Sequence, residues 1–461
     1  MMAMHMEGPD AKLVKTSSGE TMYSNHHRAR RARLASSVAF GVLLLAGTAM
    51  AEDGLTVMGA EVAGDPSAGI PAWTGALQAD ATARIAEAPV LRIDASNLAE
   101  HADRVTPGHQ ALLAAFPGSA RLDVYPTHRT CVFPQKVLDA VAANRTGASL
   151  ANNGHGVVGA SIATPFPVAS NGLEAVWNHL LLWRGERLIQ YTAGAVVHPN
   201  GSFTLGRQEE RYENGYNAGE TVPPEGNMLN RYIRNVNAPA RLAGQIMLMH
   251  NTLDHNREQR RYWMYDPTQK RVMGSPGMEF DASTPDSEGM QTVDGYIMYN
   301  GSPDRYQWTL QGKKVMVVPY NGDRLYARDT KYADVLKGGH PNPDYLRYEA
   351  HRVWVVDGVI KEGYRHANPR RTFFMDEDTW AIVTTDRYGD DGKVAKLQEG
   401  FMNLVPEVPF CRLVTTFVHE LGTNKYFADG LTSEEPEARY GVSADELGGF
   451  EVSHVRAAGR R

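Results

Sequence analysis

Cysteine is nearly missing: 461 residues contain only Cys131 and Cys411. That excludes a disulfide-dense scaffold, and the lack of a C-x-x-C pair excludes thioredoxin-like and zinc-ribbon chemistry. Basic charge is not in surplus either. Lys+Arg number 47 against 53 Asp+Glu, a formal net charge of -6, so no nucleic-acid partner is expected. No apolar run is long enough for a membrane-spanning helix. There is no repeat with a period of 20 to 50 residues, which disfavours a propeller or solenoid. G-x-S-x-G, H-E-x-x-H and G-x-x-x-x-G-K are all absent, so no catalytic residue, metal or cofactor is expected.

One short apolar stretch remains, Leu34 to Gly47, behind Arg28, Arg30, Arg31 and Arg33 and ahead of Ala49-Met50-Ala51. A charged flank, a short greasy segment and small residues at its end form the pattern of a secretory signal peptide. Residues 1–51 are therefore expected to be removed after Ala51. Their loss takes away six basic and three acidic side chains and leaves 41 Lys+Arg against 50 Asp+Glu. No cysteine stands at the new terminus to take a lipid, so a periplasmic protein without a lipid anchor is expected. In that compartment Cys131 and Cys411 are permitted to join. Two cysteines do not establish proximity, so a bond and two buried thiols both stay open.

Residues 52–105, rich in Gly, Pro, Ala and Asp, read as an extended arm wrapping the main body. Three helices follow. Thr106-Pro107 opens the first, Pro134 the second, and Asn171, three residues before Glu174, caps the third, which ends at Gly185. From Gly185 the pattern becomes a meander of hairpins. Turns are expected at His198–Gly201, Asp266–Gln269 and Gly312, and strands at 351–360, 371–375, 380–387 and 394–399. Alternation such as Arg352, Trp354 against Val353, Val355 predicts one wetter and one drier face. The fold class expected is mainly β: a strongly curved antiparallel sheet over 106–430, an incomplete barrel with helices plugging its open side. The polar stretch 431–461 is expected to be a mobile tail.

Polar clusters give little chemistry. His250, Asp254 and His255 read as a strand end and loop, and Asp376-Glu377-Asp378 as a hairpin turn, since neither has the spacing of a metal site. The tryptophans carry more. Trp177 and Trp183 on the third helix and Trp263, Trp308 and Trp354 on strands are candidates to line an apolar pocket, because bulky aromatics on a concave sheet can hold a lipid-like molecule away from water.

Blocks of sequence also carry a resemblance. Ile70-Pro71-Ala72-Trp73-Thr74-Gly75, Asp123-Val124-Tyr125-Pro126-Thr127-His128-Arg129, Trp183-Arg184-Gly185, His351-Arg352-Val353-Trp354 and Asp376-Glu377-Asp378-Thr379-Trp380 resemble the exported bacterial family known as domain of unknown function 1329. The resemblance implies a fold similar to the periplasmic lipoprotein-localisation carriers and receptors. It also implies a carrier or adaptor for a hydrophobic, lipid-like molecule, with a resistance-nodulation-division type exporter or an outer-membrane protein as partner. A periplasmic hydrolase acting on a lipid or steroid-like compound, and an envelope assembly protein that binds no ligand, are the alternatives.

Overall fold

The computed structural model describes residues 54–219, 226–274 and 280–459. The expected signal peptide and its expected cleavage after Ala51 lie outside the described residues. The three expected helices are present, but the third ends at Leu180 rather than at Gly185, so Trp183 lies beyond it. Thr106 accepts from the His109 N–H at the start of Pro107–Ala115, and Pro134 precedes Gln135–Gly147. Asn171 accepts from the Glu174 N–H at the head of Gly172–Leu180. Gly172 is needed for its size: a Cβ there would lie 2.8 Å from the Thr309 backbone nitrogen, so only glycine lets this helix seat against the Tyr306–Pro319 strand.

Sixteen strands form one sheet. Its path runs through Leu91–Ile93, Leu122–Tyr125, Tyr348–Ile360, Arg370–Asp376, Ile382–Tyr388, Val394–Val405, Phe410–Glu420 and Lys425–Leu431, then Arg187–Val197, Gly206–Glu213, Met228–Ala238, Ile246–Thr252, Arg261–Asp266 and Arg271–Gly274. Tyr306–Pro319 pairs with Tyr348–Ile360, and Arg439–Tyr440 with Arg187–Val197. The first and last strands do not pair, so the sheet is open. It is also mixed: Leu122–Tyr125 runs parallel to Tyr348–Ile360, while the other pairings are antiparallel. The parallel pair arises because the N-terminal segment adds its short strand to an edge of a meander formed much later in the chain.

Three expectations change. Gly312 does not turn a hairpin; it sits at φ 105° in a β-bulge inside the continuous strand Tyr306–Pro319. Glycine in a strand supports either outcome, and the pairing of residues on both sides with one partner strand selects the bulge. The Tyr348–Ile360 strand has no wet face over most of its length, because the N-terminal arm covers it: Arg352 donates to the Glu61 and Ala63 carbonyls. The C-terminal stretch is not a loose tail. Val442, Leu447, Phe450 and Val455 pack on Ile189, Ile233, Leu248 and Tyr265, and a Ser443–Glu446 capping box starts the helix Ala444–Leu447. Four apolar residues spaced through polar sequence suffice to cover one sheet face.

Candidate functional site

A cavity of about 70 Å³ lies inside the sheet, touched by Leu188, Tyr212, Tyr232 and Met249 on one flank and by Phe410 and Leu413 on the other. Five strand spacings separate Ile246–Thr252 from Phe410–Glu420 along the sheet, about 24 Å if it were flat. Both reach one small cavity only because the sheet curls. Phe133, Leu182 and Trp183 complete the apolar wall, with Arg184, Arg412, Gln190 and several asparagines as polar points.

Alternation on Gly206–Glu213 explains the floor. Gln208, Glu210 and Tyr212 point inward and are buried, while Arg207, Glu209 and Arg211 face outward. Glu210 is fully committed. One carboxylate oxygen accepts from the Tyr232 hydroxyl at 2.5 Å and the Tyr296 hydroxyl at 3.2 Å, the other from Gln190 at 2.7 Å and Thr192 at 3.3 Å. The Tyr212 and Tyr296 hydroxyls lie 2.8 Å apart. Burial, reinforced by Glu210, holds the pKa of Tyr212, Tyr232 and Tyr296 well above the ordinary phenol value. Beneath them Asp429 accepts from the Gly430 N–H, and burial, with Asp286 and Glu210 nearby, pushes its pKa up to about 7. Arg234 is paired with Asp286.

The upper wall comes from the end of the Gly172–Leu180 helix. His179 is buried, and desolvation, helped by Arg184, pushes its pKa down to about 3, so the ring is neutral. Its partners assign the tautomer: Nε2–H donates to the Ile297 carbonyl at 3.0 Å and Nδ1 accepts from the Ile382 N–H at 3.1 Å. Ile297 and Met298 have φ of 45° and 69°. A β-branched residue in that left-handed region is strained, and Ile297 lines the cavity. Arg184 follows, its Nη2 donating to the His179 carbonyl at 3.3 Å. Burial pushes its pKa down to about 10. Among the described residues it makes no ion pair. Gly185, at φ 82°, then redirects the chain into Arg187–Val197.

Cys131 and Cys411 are joined, with Cα atoms 5.2 Å apart. Cys411 lines the cavity, and the bond fastens the Phe133 segment to the Phe410–Glu420 strand.

Of the five tryptophans expected to line a pocket, Trp183 lines this one, with the Lys136 ammonium 4.7 Å from its ring centroid. The others lie elsewhere. Trp177 is buried in the main core and donates to the Gly154 carbonyl. Trp308 donates to the Pro303 carbonyl and lies against Gly358. Trp354 stacks on Trp380 at 5.5 Å, and Trp263 meets His250 edge-on. Tyrosines line the hollow instead. The one sequence signal for them is the inward phase of Gly206–Glu213, where Gln208 and Glu210 share a face with Tyr212.

Two polar groupings are already engaged by other side chains. His351, Asp376 and Asp378 bring ligand atoms within 4.8 Å of one another, yet Arg129 donates to both oxygens of Asp378 at 2.9 and 2.5 Å, supplying the positive charge a cation would bring. An outer cleft of about 590 Å³ has Arg92, Arg121 and His340 in its wall. Both arginines bind Asp123, and His340 lies between the Pro341 carbonyl and Ser119. In the other expected histidine cluster, His250 bonds the Phe450 carbonyl and His255 the Thr252 carbonyl, so neither is a free ligand.

The class these features define is a mainly β protein whose open, curled sheet surrounds a small aromatic hollow. Residues 92–456 match the family described as "Protein of unknown function (DUF1329)", and the chain belongs to that family. The Uncharacterized protein PA3922 of Pseudomonas aeruginosa is 35% identical over 406 residues, covering 85% of this chain and 89% of that protein. Among solved structures, a putative outer membrane lipoprotein-sorting protein domain from Vibrio parahaemolyticus is similar at 12% identity and a TM-score of 0.42, over 62% of this chain and 98% of that one. A DUF1329 family protein from Desulfovibrio piger aligns at 12% identity and a TM-score of 0.39, over 59% and 92%. A LolA superfamily protein from Nitrosomonas europaea aligns at 10% identity and 0.36, over 60% and 97%. Among the described residues no helix is long and apolar enough to cross a membrane.

Proposed function

We propose that this protein is a periplasmic binding protein that shelters a hydrophobic molecule inside its curled sheet and exchanges it with an envelope partner, such as a resistance-nodulation-division type exporter or an outer-membrane protein. The observation that carries the reading is the lining: aliphatic and aromatic side chains interrupted by a few fixed polar points, the composition of a small-molecule site. Binding would be driven by apolar burial, at roughly 25 cal/mol per Å². The signal-peptide pattern and the Cys131–Cys411 bond both suit an oxidising, extracytoplasmic compartment.

Size sets a condition. About 70 Å³ is far below the several hundred Å³ of a drug-sized site, so the walls must part for cargo to enter. The wall around Tyr296 to Asn300 is the one that opens in this reading. It belongs to no strand, contains the strained Ile297–Met298 pair, and is tied to the helix through the His179–Ile297 bond. Among the described lining residues there is no serine, histidine or carboxylate, which favours binding over the hydrolase alternative. The test is native mass spectrometry of gently purified mature protein, followed by organic extraction and displacement of an environment-sensitive dye. A co-purifying apolar ligand, or saturable displacement by lipids, is expected. An empty protein that displaces no dye across a panel of lipids and sterols would leave the assembly-protein reading in its place.

A further inference from the structure

Among the described residues, Arg184 is a charged group in an apolar hollow without a counter-ion. Its one side-chain hydrogen bond there is from Nη2 to the His179 carbonyl, and Leu182, Trp183 and Leu188 accompany it in the cavity wall. The nearby acceptors are committed. Glu210 accepts from Tyr232, Tyr296, Gln190 and Thr192, and the Tyr212 hydroxyl is engaged with that of Tyr296. Elsewhere in the interior four buried guanidiniums meet carboxylates, Arg129 with Asp378, Arg352 with Glu377, Arg84 with Asp323 and Arg371 with Asp294, while Arg387 is held by the Gln291 and Gln398 side chains. Charges removed from water are paired as a rule, because solvation lost must be replaced. Arg184 is half-buried and meets neither a carboxylate nor a side-chain amide, at the place where a ligand would sit.

From this we infer that the cargo is a hydrophobic monocarboxylate, its apolar body against Trp183, Leu188 and Phe410 and its carboxylate on the Arg184 guanidinium. The inference rests on the proposed binding role. A planar guanidinium with free N–H groups matches a carboxylate in a two-point arrangement. A single charge is favoured over a doubly charged phosphate, since Glu210 and Asp429 lie across the floor and the second arginine of the lining, Arg412, already donates to Asn403 and lies over the Tyr326 ring. The backbone of Arg184 is fixed on both sides: its N–H donates to Asn217 at 3.3 Å, and Gly185 bends the chain immediately after it.

The experiment compares a fluorescent polyene fatty acid with its methyl ester, on delipidated wild-type protein and on Arg184→Gln, Arg184→Lys and the exposed-helix control Arg145→Gln. Wild type and the control should bind the acid at least tenfold more tightly than the ester. Arg184→Gln should bring the acid down to the level of the ester, and Arg184→Lys should restore part of the difference. Circular dichroism and thermal unfolding establish that each variant is folded. Equal binding of acid and ester by wild type, or an unchanged preference in Arg184→Gln, would overturn the carboxylate assignment and leave the binding role standing. No binding of either probe by wild type would overturn both.

Discussion

Two regions of the interior handle charge in opposite ways. Beneath the Asp376–Trp380 turn, Arg129, Arg352 and Lys313 are closed onto Asp378, Glu377 and Glu61, with the arm laid over them. In the curled half, Arg184 has no carboxylate and Asp429 no cation within ion-pair distance among the described residues. Buried charge in the first region is part of how the arm is fastened; in the second, half-buried charge is left without a partner by the fold. The contrast separates residues that hold the structure from residues available to something else, and motif searching does not, because both regions contain the same residue types.

The largest effect that sharpens this contrast is expected from Arg129→Ala, which strands Asp378 in a fully buried site. It should cost about 3–5 kcal/mol, read as a lower urea midpoint. Next comes the Cys131–Cys411 bond, which borders both regions through Tyr320 and the cavity wall. Replacing both cysteines by alanine frees a loop of 280 residues and should cost about 2–5 kcal/mol, seen as a lower Tm that reductant no longer changes.

Asp429 gives a smaller effect that depends on pH. Its folded pKa, about 7, lies above the usual unfolded value. The native state therefore binds the extra proton between about pH 4 and 7, and stability falls as pH rises through that window. Asp429→Asn lacks this slope. Its stability relative to wild type should rise by about 2 kcal/mol between pH 5 and 8, measured by urea unfolding at both pH values; a difference that does not change with pH would remove Asp429 from the unpaired side of the comparison. Smallest is Arg184→Met, expected within about 1 kcal/mol of wild type in either direction, because a half-buried guanidinium keeps contact with water and has no ion pair to lose. A loss as large as that of Arg129→Ala would erase the distinction between the two regions.

The helices were legible because their caps are local: Thr106-Pro107 and Asn171 to Glu174 act within one turn. The hairpins at His198–Gly201 and Asp266–Gln269 were legible for the same reason. The Gly312 bulge was not, since a turn and a bulge use the same residue and differ only in where the next strand lies. Among the candidate residues, Trp183 reached the cavity while Trp177, six positions earlier, went into the core. Both read as aromatics of one amphipathic segment, but the helix ends at Leu180, so Trp177 faces the core from the helix while Trp183 is placed by the irregular stretch that follows.

By itself, the sequence determined the local signals: capped helices, turns, the alternation that made a mainly β protein, and the blocks that mark its family. Those depend on contacts a few residues apart. Tertiary structure alone decided that the sheet curls far enough for Met249 and Leu413 to share a hollow, that the apolar residues of the C-terminal stretch dock, and that Arg184 is left without a carboxylate. Pairing of a charge is a property of the space around it, and that space is built by strands more than two hundred residues apart in the chain.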